Sequence, residues 1–459
     1  MNHELPFESY LISVARPIKI TAQKEREQII REQYYNLFKI PSPKVMIDML
    51  TDSGTGAISN EQLAGIIVGD ESYAGSVSFE KMKRAINDIT GFNFIIPTHQ
   101  GRGAENVLHS AIVKDGDVVP GNTHFDTTKA HIEFRRATAV DCTIDESKET
   151  SNEHPFRGNL DLKKLEAVFL KTPKEKIPFT LITITCNSGG GQPVSLSNIL
   201  AVKKLCKKYN IRLFFDMARF AENAYFIKTR EKEYQSWPIL DICREMFKDA
   251  DGATMSAKKD AIVAMGGFVA LKDEELYQKC ATYSILFEGY LTYGGMTGGT
   301  MEALAIGLYE TTDFHYLQSR ITQVHKLGRL IKECGIPLIE PVGGHAVYVD
   351  AGKMLPHIPH AQYPAQVLAV ALYVKGGIRG VEIGTVLADR DPFTHQERFQ
   401  DHELLRLAVP RRTFTDNHMA YVASVLGEIN KEKDKLKGLK IIWEPPILRH
   451  FTCRFAEVD

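Results

Sequence analysis

Apolar positions along the middle of the chain follow two periods in turn. Residues 161–171 (DLKKLEAVFLK) repeat them every three to four positions, the spacing of one helix face. Residues 179–185 (FTLITIT) are β-branched and aromatic and run into glycines, the pattern of a strand that ends in a turn. Helical spacing returns over 195–208 (SLSNILAVKKLCKK), and 211–215 (IRLFF) is a short apolar run suited to a buried strand. Further strands are expected at 251–255 and 266–271, and a helix at 104–113. Strand and helix in alternation predict an α/β unit with a mainly parallel sheet and crossover helices.

After about residue 335 the character changes. Strands at 346–350 (AVYVD), 404–409 (LLRLAV) and 438–443 (GLKIIW) are separated by helices at 363–375 and 417–433, which predicts a smaller α+β domain. One long helical stretch, about 300–334, would join the two. The expected division is therefore an N-terminal arm with part of the small domain (1–50), a large domain (51–310), and a connecting helix with the small C-terminal domain (311–459).

In parallel α/β sheets, ligands sit beyond the carboxyl ends of the strands. Those ends carry chemistry here. The 179–185 strand leads to Asn187 and Gly189–Gly191; the 211–215 strand ends on Asp216, with Arg219 just beyond; the next ends on Ser256-Ala257-Lys258-Lys259. Pyridoxal phosphate asks for such a set. A lysine forms the Schiff base, a carboxylate keeps the ring nitrogen protonated, and donors hold the ring oxygen. Gln100-Gly101-Arg102-Gly103 opens a helix and suits the phosphate, because free N–H groups at a helix start and an arginine both favour an anion. Taken singly, Asp216 is a turn former, the lysine pair a solvated surface and the glycines 189–191 a plain turn. The combination in this order is the specific signal.

Composition narrows the field without adding a function. Net charge is −1 and the pI about 7.0, so nothing marks a nucleic-acid or anionic-membrane partner. Seven cysteines form no CxxC pair, which reads as reduced thiols in a cytoplasmic protein. No run approaches the roughly 18 apolar residues of a membrane span. Three partial motifs fail on context. Ser256–Lys259 matches S-x-x-K but lacks its companion motifs. QGRGAEN lacks the third glycine of a dinucleotide fingerprint. His357 and His360 stand among prolines with no carboxylate ligand pattern.

Longer runs carry a family resemblance over essentially the whole chain: LTDSGTGA (50–57), GDESYAGS (69–76), PTHQGRGAEN (97–106), GGQPVS (190–195), ENAYFIK (222–228), MSAKKD (255–260), GGHAVYVDAG (343–352) and YPAQ (363–366). The chain resembles the aromatic β-eliminating lyases. The resemblance implies the fold-type I, aspartate-aminotransferase-like architecture, pyridoxal 5′-phosphate, activation by a monovalent cation such as K⁺, and a homotetramer. It makes Lys259 the Schiff-base lysine and α-proton base, with Lys258 its polar neighbour. It gives Asp216 the ring nitrogen, Asn187 and Arg219 the ring oxygen, and Gln100, Gly101, Arg102 and Ser256 the phosphate side, with Phe125 stacked on the ring. Arg406 resembles the clamp for the substrate carboxylate; Thr51 and Ser53 lie in the segment that closes over the amino acid. Tyr73 resembles the acid at the leaving group, and Glu71 with the Gly54 carbonyl would bind the cation. An enzyme is favoured over a pyridoxal-phosphate-binding regulatory protein, because no added DNA-binding or scaffold segment accompanies the set.

The resemblance also separates two leaving groups. Phenol benefits from a cationic partner; indole benefits from an acceptor and an apolar wall. Where phenol-releasing members carry Thr after the stacking Phe, this chain has Asp126. Where they carry Met and Arg it has Val381 and Ile383, and where they carry Phe-Phe it has His450-Phe451. This pattern implies elimination of L-tryptophan with water to indole, pyruvate and ammonium, with Asp126 and His450 assisting Tyr73. Read by themselves, Val381 and Ile383 are equally ordinary core and His450 a structural histidine. His124, Gly189 and Tyr290-Leu291 depart from the residues usual in the indole-releasing branch.

Overall fold

The computed structural model describes residue 5 and residues 7–391 and 394–458. The chain divides into two compact units. The larger contains residues 53–147 and 154–320; the smaller contains 8–52, 148–153, 321–391 and 394–458.

The larger unit is built on a seven-stranded sheet. In spatial order its strands are Phe94–Thr98, Gly267–Leu271, Gly252–Ser256, Leu213–Asp216, Thr180–Thr183, Val118–Gly121 and Thr138–Asp141. All are parallel except Gly267–Leu271, which runs antiparallel to both neighbours. The direction follows from chain length: residues 257–266 are too few for the crossover that a parallel partner requires. The central strands are buried along their whole length apart from the half-buried Asp216 and Ser256 at their ends, as expected of a sheet covered on both faces.

Local chemistry sets the helix limits. Ser195 caps Leu196–Tyr209 by accepting from the Asn198 N–H, and Asn210 ends it in the left-handed conformation, φ 53°. Asp161 caps Leu162–Lys171 in the same way. The stretch expected as one helix over 300–334 is two, Gly298–Glu310 and Phe314–Glu333. Thr311–Asp313 interrupts it, and the Asp313 carboxylate accepts from the Tyr316 N–H at 2.7 Å, capping the second helix.

The smaller unit has a three-stranded antiparallel sheet, Val381–Ile383, Leu404–Ala408, Ala346–Asp350. Helices Gln23–Glu32, Pro364–Gly376 and Asp416–Lys431 cover a continuous apolar core that includes Ile30, Val349, Leu368, Leu372, Leu405 and Leu426. The 47–48 segment pairs with 378–379, which fixes the early chain in this unit.

One buried ion pair lies next to the expected closing segment. Arg411 donates to the Asp52 carboxylate at 2.9 Å, and the two side chains are 1% and 2% exposed. Truncating one partner of such a pair strands a charge in a dry site. Arg411→Ala is therefore expected to destabilise the smaller unit by about 3–5 kcal/mol, read from denaturant unfolding. A loss below about 1 kcal/mol, the scale of an exposed pair, would show that water reaches Asp52.

Candidate active site

The predicted residues fall into two groups, one in each unit. In the larger unit, four strand ends and two helix starts converge. The Lys259 ammonium donates to the Ser256 hydroxyl at 2.9 Å and lies 6.0 Å from the centroid of the Phe125 ring. It also acts on the Asp216 carboxyl. Burial pushes that carboxyl up from the ordinary carboxylate range; the Ala218 N–H, Lys259 and Arg219 pull the other way. A carboxyl so placed is suited to a cationic partner. Asn187 and Arg219 are buried at neighbouring strand ends, and the Arg219 N–H donates to the Ile184 carbonyl at 3.1 Å.

An anion site stands beside this set. Helix Gly101–Ile112 has no side-chain cap at its N-cap residue, Gln100. The Gln100 side chain instead accepts from Lys258 Nζ at 3.1 Å. Burial, and then the Arg102 cation, hold the Lys258 ammonium below its ordinary pKa. Two cations gathered at an uncapped helix start make a site that an anion stabilises. Gly101 is required there: a Cβ on it would lie 2.6 Å from the Ser256 Cβ. The residues therefore fit pyridoxal phosphate on three observations: the crowded cation pair, the buried carboxyl with its raised proton affinity, and an aromatic face opposite the lysine.

Phe125 is the N-cap of helix Asp126–Phe134, so Asp126 opens that helix, half-buried. The carboxylate accepts from the Thr127 N–H at 2.6 Å. His124 is buried and bonded through Nδ1 to Asp141 at 2.7 Å. This gives the departure at 124 a structural partner.

In the smaller unit Arg406 stands opposite Val381 on one side and Tyr348 on the other, so the three share a face of the sheet. Its Nη2 donates to the Leu50 carbonyl at 3.1 Å, next to Thr51. Val381 and Ile383 are buried in an apolar cluster with Tyr348, Leu404 and Ala408, against which Phe38 and Leu50 pack. The buried His450 ring meets Phe38 edge-on at 5.9 Å. The carboxylate clamp, the apolar wall and the histidine predicted from sequence are thus neighbours on one side of this unit.

Tyr73, Glu71 and Gly54 complete the predicted set. Tyr73 is 68% exposed, stacked on Tyr290 at 5.4 Å and tilted against Tyr293 at 5.2 Å. Glu71 is exposed and accepts from the Gly298 N–H at 3.4 Å. Gly54, at φ +72°, donates to the Lys258 carbonyl at 2.8 Å and packs on Ala264. Among the described residues no cluster of three or more His, Cys, Asp or Glu side chains suits a metal ion. No helix among them is long and apolar enough to cross a membrane.

Sequence reasoning passed over Glu105. It is 5% exposed, and its carboxyl accepts from the hydroxyls of Thr127, at 2.7 Å, and Thr128. The missed signal was its place among Ala104, Val107 and Leu108, on the buried face of the helix.

Comparison with known proteins agrees with this geometry. An aromatic aminotransferase from Pyrococcus horikoshii superposes with a TM-score of 0.60, covering 90% of this chain and 100% of its own, at 12% identity. The architecture is thus the fold-type I, aminotransferase-like α/β class. The family model for beta-eliminating lyases matches residues 48–425. A probable beta-eliminating lyase from Trichomonas vaginalis is 56% identical over 99% of this chain and 100% of its own. A tryptophanase from Salinibacter ruber is 50% identical over 97% and 94%, and a tyrosine phenol-lyase from Pasteurella multocida 47% over 98% of each. The chain belongs to the beta-eliminating lyase family.

Proposed function

We propose that this lyase uses pyridoxal phosphate to eliminate indole from L-tryptophan, with water consumed to leave pyruvate and ammonium. One observation carries the choice of leaving group. Asp126 opens a helix directly after Phe125, whose ring faces Lys259, and so sets a hydrogen-bond acceptor next to that ring. An indole N–H is a donor that such a carboxylate can hold; a phenolate oxygen would be repelled by it. The apolar side chains of Val381 and Ile383 support the same reading, since neither can pair with an oxyanion.

When bound, the cofactor supplies an electron sink for the bond-breaking step. The chain's own residues do the rest. Lys259 anchors the cofactor and takes the α-proton. Asp216 would hold the ring nitrogen, Asn187 and Arg219 the ring oxygen, and Gln100, Gly101, Arg102, Ser256 and Lys258 the phosphate side. Arg406 grips the substrate carboxylate with a fork of donors, and Thr51 and Ser53 line the segment that closes on it. Tyr73 donates a proton to the departing ring carbon, assisted by Asp126 and His450. At 68% exposure Tyr73 stands open to water in the single chain, and we propose a homotetramer as the working form. Glu71 and the Gly54 carbonyl would hold K⁺, and the enzyme would work in the cytoplasm.

Relatives named tyrosine phenol-lyase match over the same length at similar identity, so release of phenol from L-tyrosine is the second reading. Asp126→Thr separates them. The ratio of indole to phenol formed, at matched substrate concentrations, is expected to fall by roughly 10- to 200-fold, the worth of one hydrogen bond to a charged group. An unchanged ratio would remove Asp126 from the side-chain pocket.

A further inference from the structure

Glu105 has no role in the chemistry above, yet it is buried between two elements that both serve the candidate site. It lies in helix Gly101–Ile112, whose start carries Gln100 and Arg102. Its carboxyl accepts from the Thr127 and Thr128 hydroxyls of the helix that follows Phe125 and Asp126. Two hydroxyl donors on one carboxyl favour its ionised form. Burial opposes this, followed by the negative charge of Asp216, with Asp126 a smaller contribution. The balance leaves the group pushed up to about 7, so its charge is adjustable near neutrality. Two histidines lie close by, one on its own helix and one on the next, where Arg135 also donates to Asn106 and Ser110. His109 bonds through Nδ1 to the Glu105 carbonyl and is held neutral by burial, its pKa lowered to about 3. His131 is lowered to about 4, again chiefly by burial. Neither is a cation at working pH, and neither neutralises Glu105.

We propose that Glu105 is a positioning residue for the cofactor ring: it ties the phosphate-side helix to the helix that follows Phe125, and it adds a second carboxylate within electrostatic reach of Asp216. The proposal rests on the reading that Asp216 faces a protonated ring nitrogen. An anion near Asp216 stabilises a cation held by Asp216 and raises the proton affinity of basic nitrogens close to the pair. A residue that only filled space would do the first job and not the second.

Three proteins test this: the wild type, Glu105→Gln, and the double variant Thr127→Val with Thr128→Val. Each is titrated with pyridoxal phosphate, and the absorbance of the bound cofactor is followed against pH. Glu105→Gln keeps the shape and removes the charge. The absorbance midpoint is expected to move down by on the order of one pH unit, and the cofactor dissociation constant to rise about tenfold. The threonine variant removes the donors that keep Glu105 ionised, so its midpoint is expected to move the same way.

A second readout needs no cofactor. A carboxyl whose folded pKa is raised contributes stability that is present below its unfolded value, near 4.5, and lost as pH rises through about 7. That slope is expected to flatten in Glu105→Gln. Wild-type midpoint and affinity in Glu105→Gln would overturn the proposal while leaving the cofactor site intact. Failure of the wild type to bind the cofactor would instead overturn the functional reading on which it rests. Should Glu105→Gln not fold, the threonine variant decides: an unmoved midpoint there contradicts the electrostatic role.

Discussion

Lys259→Ala is expected to abolish turnover, with kcat falling by on the order of 10⁴-fold or more, since one residue is asked to anchor the cofactor and to move the α-proton. The Schiff-base absorbance of the purified protein should vanish with it. Lys259→Arg makes the test sharper. It keeps a cation close to Asp216 and to the Phe125 ring, but a guanidinium is neither a nucleophile nor a base at neutral pH. The account predicts that it is as inactive as the alanine variant. Turnover surviving in either would move the chemistry away from the Ser256–Lys259 strand end.

Asp216→Asn is expected to have the next largest effect. The carboxyl is in a place where burial already raises its proton affinity, and Lys259 and Arg219 are the cations that hold it down. Such a group gives most when a cation faces it directly, as a protonated ring nitrogen would. Removing one partner of a buried pair costs about 3–5 kcal/mol, or roughly 10²- to 10⁴-fold in kcat/KM if the interaction tightens in the transition state. Asp216→Glu should recover part of the loss, because the charge is kept and only its reach changes. An asparagine variant with wild-type kcat/KM would mean that the ring nitrogen meets another group.

The parts of this molecule that are local in sequence were legible, and the parts that depend on distant pairing were not. The run IRLFF and the acid after it predicted a strand ending on Asp216, and the strand is Leu213–Asp216. The period of 195–208 predicted helix Leu196–Tyr209, whose cap, Ser195, is itself a local signal. Lys259 was legible only through its company, because a lysine pair after a strand is uninformative until Asp216, Asn187 and the helix start at Gln100 fall on the same sheet edge. The break at Thr311–Asp313 was readable in principle. Its short polar residues cap helices, but the apolar period continues on both sides and hid it. The antiparallel strand Gly267–Leu271 was also readable, from the shortness of the loop before it. The pairing of Asp52 with Arg411 is a different case: the two are 359 positions apart, and no pattern near either one announces the other. Glu105 is the instructive miss. A glutamate in a helix is usually solvated, and only its place on the apolar face marked it as buried.

The most direct test of the central claim is a product assay on the purified wild-type protein with pyridoxal phosphate and K⁺. L-Tryptophan and L-tyrosine are supplied separately, and indole, phenol and pyruvate are measured. The account predicts Schiff-base absorbance, then indole and pyruvate in equal amounts from L-tryptophan, with little phenol from L-tyrosine. Phenol and pyruvate from L-tyrosine, with little indole from L-tryptophan, would contradict the reading of Asp126, Val381 and Ile383.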